Sequence, residues 1–290
     1  MIITRLLCYF WHIKNGILKP LKRLNMLNNI LNEIIAKHKK LLILEPKFPK
    51  ELTENLYDWF RIALTYTSNA IEGNTLSEIE TAQIIEKDIT VPGKSLTEHL
   101  EAINHAKAVD LISDLAKSHK NIEISDILSL HRLILGKIND KYAGTFRNVS
   151  VRIMGSSIPV PNYQKIPQLM DDLISWLHST NDPIPKISAD IHLKLAYIHP
   201  FIDGNGRTAR LLMNLILLRD KYPLVFIKAQ ERTKYIQAIQ KAVSFACENF
   251  SQEEFILKSH DLNIKEFYDF YSTIFEATEF SLDEYLDAVK

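Results

Sequence analysis

The chain has 290 residues, enough to bury a sizeable core without metal or disulfide staples. Apolar residues make up 46% and charged residues 24%, which excludes wholesale disorder; eight glycines, about 3% against roughly 7% on average, disfavour a turn-dense all-β fold. Thirty-five basic side chains balance thirty-five acidic ones, so no global field exists to capture nucleic acid or an anionic membrane, and two cysteines without a spacing motif (Cys8 and Cys247) make a reducing, cytoplasmic compartment the default.

Residues 1–50 read as a leader, helical or partly disordered. Its first 32 residues hold five bases (Arg5, Lys14, Lys19, Lys22, Arg23) and no acid. The apolar run Leu6 to Ile13 is far too short to span a bilayer. Targeting or secretion by way of residues 1–25 is the alternative, but no small-residue cleavage site follows, and Met26 offers a later start. Apolar residues at three- and four-residue spacing predict helices over 52–71, 98–116, 125–136, 166–178, 188–198, 207–219 and 231–247. Thr75-x-x-Glu78 and Ser95-x-x-Glu98 read as capping boxes, with Ser125 and Ser188 as N-caps. Val149 to Val160 alternates and is β-branched around Gly155-Ser156-Ser157, which predicts a small β-hairpin. Residues 259–290 hold eight acids against Lys265 and Lys290, and predict a short acidic helix or tail on the surface. The expected fold class is therefore all-α: a helical region over 51–121, a helical domain over 122–258 carrying the hairpin, and helical additions at both ends.

The chemistry concentrates at His199-Pro-Phe-Ile-Asp203-Gly204-Asn205-Gly206-Arg207-Thr208-Ala209-Arg210. One helix must stop before Pro200, since the residue before proline avoids the α region. A second starts near Arg207. The Gly-Asn-Gly turn between them permits positive φ, so successive N–H groups can converge with the helix N-terminus into an anion cradle. Arg207 and Arg210, three apart, share one helical face and are expected to reach one polyphosphate. Asp203 offers a hard oxygen to Mg²⁺ or Mn²⁺, which accompany nucleotide phosphates and need few protein carboxylates. His199 lies at the rim with a pKa suited to taking a proton from a hydroxyl. Each part alone is usually only a turn, a surface histidine or a solvated face; the conjunction within twelve residues is what carries the reading.

These residues match, without a gap, the signature HPFx(D/E)GNGRxxR of the Fic (Fido) family, and the chain resembles the animal endoplasmic-reticulum Fic adenylyltransferases. The resemblance covers roughly residues 60–255. It implies transfer of AMP from ATP to a Ser, Thr or Tyr hydroxyl of a target protein. His199 then resembles the general base and Asp203 the metal ligand. Gly204, Asn205, Gly206 and Arg207 resemble the α/β-phosphate cradle, with Thr208 and Ala209 in the same turn, and Arg210 the γ-phosphate ligand. Met154, Gly155, Ser156 and Ser157 resemble the flap that clamps a target peptide by strand addition. Tyr235, with Ile236 beside it, matches the adenine pocket; Val243 departs from the Asn of close relatives.

Upstream, Ser68-x-x-x-Glu72-Gly73-Asn74 matches the family's inhibitory pattern. Gly73 suits a left-handed C′ position, which leaves Glu72 at the very end of its helix. Docked on the site, Glu72 would pair with Arg210 and exclude the γ-phosphate. In similar proteins the same Glu positions a water that removes AMP, which implies a combined writer and eraser. Val91-Pro92-Gly93-Lys94-Ser95 also resembles the endoplasmic-reticulum members, whose tandem repeats and membrane anchor are not found in this sequence. The implied partners are ATP and a protein target, a chaperone or the chain itself among them, with a homodimer allowed and neither nucleic acid nor membrane expected. Two alternatives stand: transfer of another nucleotide or phosphocholine on the same scaffold, and a non-catalytic helical interaction module.

Overall fold

A computed structural model describes residues 2–118, 120–153 and 158–288, with side chains from Arg23 onward. Eleven α-helices are found among them: α1 Ile2–Leu44, α2 Lys50–Glu72, α3 Glu78–Lys87, α4 Leu96–Ser118, α5 Ile124–Leu135, α6 Ile166–Ser179, α7 Ile184–Ile198, α8 Asn205–Arg219, α9 Arg232–Asn249, α10 Gln252–Leu257 and α11 Lys265–Asp287. No helix among the described residues is long and apolar enough to cross a membrane.

The centre is the antiparallel pair α7 and α8, joined by the 199–204 turn. Leu193, Leu195, Leu211, Leu212, Leu215 and Leu217 are all 0% exposed. Each such side chain contributes roughly 1.5–3 kcal/mol on burial. Helices α2, α4 and α5 cover α8, while α6, α9 and α11 cover α7. Because α7 is buried on nearly every face, its polar residues must find partners inside. Asp190, 0% exposed, accepts from the Tyr271 hydroxyl and from Lys186 Nζ at 3.1 Å, and is held at a pKa of about 2: burial pushes it up, but His260, Lys186 and Lys194 outweigh that. Lys194 donates to the Ile256 and Lys258 carbonyls and lies over the Trp176 ring. Burial lowers its pKa to about 6.

Several expectations shift. The N-cap before α3 is Ser77, boxed with Glu80, one pair later than Thr75 and Glu78. Thr75 instead donates its hydroxyl and amide to Glu98 Oε1, while Glu98 also closes the expected box with Ser95. Helix α5 is capped by Glu123, boxed with Asp126, rather than by Ser125. Helix α7 begins four residues before Ser188, because Pro185 sits well at its first turn. The acidic C-terminal segment is no short surface tail. It forms the 23-residue α11, whose Phe267, Phe270, Tyr271, Ile274 and Phe275 are fully buried, and it packs along α1. Its acids occupy only the outer stripe, where Glu279 and Asp283 hold Lys37 of α1.

The hairpin expected over 149–160 is not formed among the described residues: neither 149–153 nor 158–162 carries a strand. Pro159 and Pro161 lack the N–H groups a ladder needs. Arg147 takes the carbonyls of Val149 and Pro161 instead. Met154, Gly155, Ser156 and Ser157 lie outside the described residues.

Candidate functional site

The turn between α7 and α8 departs from ordinary backbone twice. His199 caps α7 at φ 50°, and Gly204 precedes α8 at φ 74°. The first is uncommon outside glycine, although His, like Asn and Asp, adopts it more readily than most, while the second is a glycine position. Asn205 closes the loop from within: its Oδ1 accepts from the Phe201 amide and its Nδ2 donates to the Phe201 carbonyl, both at 2.9 Å. Beneath the loop His131 of α5 stacks on Phe201, with ring centroids 3.6 Å apart. Its Nδ1 accepts from the Gly144 amide, so the proton sits on Nε2, which donates to the Asp203 carbonyl at 2.9 Å. Burial holds its pKa at about 4, so this tautomer persists at neutral pH.

Above the loop opens a cavity of about 670 Å³. His199, Asp203, the 204–206 turn and Arg210 line one side; Tyr235, Ile236, Ile239 and Val243 of α9 line another; Glu72 closes the end. His199 has its pKa lowered to about 4, chiefly by burial with help from the Arg147 charge, and its ring bonds the Ala196 backbone. The imidazole is therefore neutral near pH 7 and free to take a proton. The Asp203 side chain is 63% exposed; Oδ1 accepts from the Gly204 amide, and Oδ2 lies 3.7 Å from Arg207.

The anion cradle already holds a carboxylate. Glu72, at the last position of α2, accepts from Arg210 Nη2 at 2.6 Å. It also lies so close to Gly206 that a Cβ there would collide with Glu72 Oε1. Ser68, one turn earlier, completes the clamp: its Oγ accepts from Arg210 Nε at 2.9 Å and its carbonyl from Nη2 at 3.0 Å. Gly73 takes φ 106° and ends α2 as expected. Burial raises the Glu72 pKa, but the charges of Arg210, Arg207 and Arg232 win and leave it lowered. Arg210 is buried with its charge paired, which is the condition under which a buried guanidinium is tolerated.

Not every expected residue meets the cavity. Arg207 and Arg210 do not converge: Arg207 points to α4, where Glu101 accepts from its Nη1 at 2.9 Å. The other oxygen of Glu101 accepts from Asn74, just past the end of α2, at 2.8 Å. Thr208 Oγ1 donates to the Gly204 carbonyl, and Ala209 faces the core. Tyr235 pairs its hydroxyl with His192 Nε2 at 2.6 Å. Sequence reasoning gives no role to His131, Arg147, Glu101 or Arg232, whose Nε holds the Ile71 carbonyl at 2.6 Å. Lone residues on separate helices give no spacing signal; only the nearby Gly144 hinted at a turn before Arg147.

The fold and site define a helical protein with an anion cradle at a helix N-terminus, faced by a histidine and a carboxylate. Residues 121–217 match the Fic/DOC family. A glutamate-to-glycine variant of a Fic-1 fragment from Caenorhabditis elegans superimposes with a TM-score of 0.72 at 30% identity, over 90% of this chain and 72% of that one. The unsubstituted fragment gives a TM-score of 0.77 at 28% identity, over 91% and 73%. The chain belongs to the Fic/DOC family. Among curated relatives, protein adenylyltransferase fic-1 of Caenorhabditis elegans is 41% identical over 184 residues, 61% of this chain and 35% of the relative. Protein adenylyltransferase Fic of Nematostella vectensis is 40% identical over 181 residues, 61% of this chain and 42% of the relative. The chain thus matches well under half the length of these relatives.

Proposed function

We propose that this protein is an adenylyltransferase that moves AMP from ATP to a hydroxyl side chain of a protein target and is held inactive by Glu72. One observation carries the reading: a carboxylate from α2 already occupies the place, between Gly206 and Arg210, where an anion cradle would seat a phosphate. Relatives named protein adenylyltransferase support the chemistry. The triphosphate would lie along the α8 N-terminus, with its last phosphate at Arg210 and its base against Tyr235, Ile236 and Val243.

The neutral His199 accepts the proton of the target hydroxyl. The freed oxygen attacks the α-phosphorus, and the bond to pyrophosphate breaks. Amides at the start of α8 face the charge that develops on the α-phosphate. Asp203 would hold Mg²⁺ or Mn²⁺. It fits because the carboxylate is a hard oxygen donor, is 63% exposed and lines the cavity beside the 204–206 turn. The ion, when bound, supplies neutralisation of phosphate charge. Residues 149–153 and 158–161 would present the target beside His199.

The test is incorporation of label from α-labelled ATP into protein by the Glu72→Gly variant. Labelling that needs His199 is expected. A folded, ATP-binding Glu72→Gly variant that labels neither itself nor any lysate protein would overturn the proposal.

A further inference from the structure

Arg147 follows the turn at Gly144 and enters the segment that leads to 149–161. It is 3% exposed, yet every partner it has among the described residues is main chain. Nε donates to the His199 carbonyl at 2.8 Å, Nη1 to the Val149 carbonyl at 3.1 Å, and Nη2 to the Pro161 carbonyl at 2.6 Å. Its own amide donates to the Pro200 carbonyl at 2.9 Å. No carboxylate pairs with it among the described residues, and burial alone lowers its pKa.

A buried cation without an anion is costly, and a methionine or leucine would fill the same volume without that cost. What only a guanidinium provides is a rigid planar fork whose donors fix several acceptors at set angles. The acceptors here are telling. Val149 and Pro161 are the two ends of the segment expected to present a target. His199 carries the imidazole, and its left-handed backbone makes the direction of its carbonyl distinctive.

We propose that Arg147 is a positioning residue that ties residues 149–153 and 158–161 to the His199 backbone, so that a target chain seated on them stands at a fixed distance from the imidazole. This rests on the adenylyltransferase reading above. Arg147 does not itself line the nucleotide cavity, although Arg152, Ile153 and Ile158 of the segment it ties do. Its loss should therefore act far more on transfer to the target than on ATP binding.

The test places Arg147→Lys in the Glu72→Gly background. Lysine keeps the charge and discards the fork. The affinity for a non-hydrolysable ATP analogue should fall by less than about tenfold, because Arg152, Ile153 and Ile158 line that cavity, while kcat/KM for transfer to protein falls about a hundredfold, the scale of an ångström-sized misplacement. Hydrogen exchange should rise together in 149–153, 158–162 and 199–204. Full transfer by Arg147→Lys, or a rise in exchange confined to one of these segments, overturns the proposal. Should Arg147→Lys fail to fold, Pro161→Gly decides: loosening one tied end should raise exchange at 199–204 as well, and an unchanged 199–204 overturns the coupling. Absence of transfer in the Glu72→Gly parent would sink the adenylyltransferase reading instead, with the exchange measurements still deciding the role of Arg147.

Discussion

The two rims of the cavity are held by opposite kinds of contact. Along α2, α4 and α8, side chain meets side chain: Glu72 with Arg210, Glu101 with Arg207. Along 147–161, one side chain meets main chain at three carbonyls. An ion pair is exchangeable, because a phosphate can take the carboxylate's place at the same guanidinium. Carbonyls on one covalent backbone have no such competitor. The first rim is thus built to be displaced and the second to stay put, although both depend on a buried arginine.

The comparison breaks most visibly at the residue between the rims. His199→Ala should reduce transfer by about a thousandfold or more while nucleotide still binds, since it removes the base and leaves the cradle. Retained transfer would end the mechanism. Next comes the exchangeable rim. Glu72→Gly should raise auto-labelling about a hundredfold, which corresponds to a shift of about 3 kcal/mol in the occupancy of Arg210. Arg210→Ala should remove transfer in either background, so the two effects will not add. Asp203→Ala should weaken nucleotide binding about tenfold with Mg²⁺ present and little without it, as calorimetry in both conditions would show. Equal losses would take Asp203 out of the metal site.

Smaller effects sharpen the contrast. Glu101→Gln frees the largely buried Arg207 and, in the Glu72→Gly background, should tighten nucleotide binding by about tenfold or less. Weaker binding would mean that Arg207 needs Glu101 as a support. Acid should dissolve the Glu72 contact in a defined direction. Its pKa is lowered from 4.5 on folding, so its stabilisation is fully present above 4.5 and is lost as pH falls through the depressed value. The difference in urea midpoint between wild type and Glu72→Gln should stay constant from pH 7 to 5 and shrink only below that. A difference that shrank already between pH 7 and 5 would contradict the pairing.

The exchangeable rim was largely legible in the sequence, and the fixed one was not. Charged residues in a dense motif announce an anion site, and the Ser68–Gly73 pattern placed its occupant. The Glu101 partner of Arg207 was not legible because it lies on a different helix that no local spacing connects to Arg207. Val149 to Val160 looked like a hairpin because alternation reports which faces are apolar. It does not report whether N–H donors exist, and Pro159 and Pro161 remove them. The acids of α11 suggest a short helix or tail on the surface, although its aromatic residues recur at helical spacing and fill the core. Net charge over a window hides which face carries it.

The left-handed backbone at His199 reaches beyond the reaction. For most side chains that conformation costs roughly 1–2 kcal/mol, and Asn and Gly bear it best. Alanine at this position would therefore lose the imidazole and carry the backbone strain at once, so its lower stability would be confused with its lost chemistry. His199→Asn separates the two: it keeps a polar side chain that accepts the conformation and removes only the base. The same strain narrows what can drift into the position, since a variant that abandons the histidine has few residues that both fit the turn and leave α7 and α8 joined as they are.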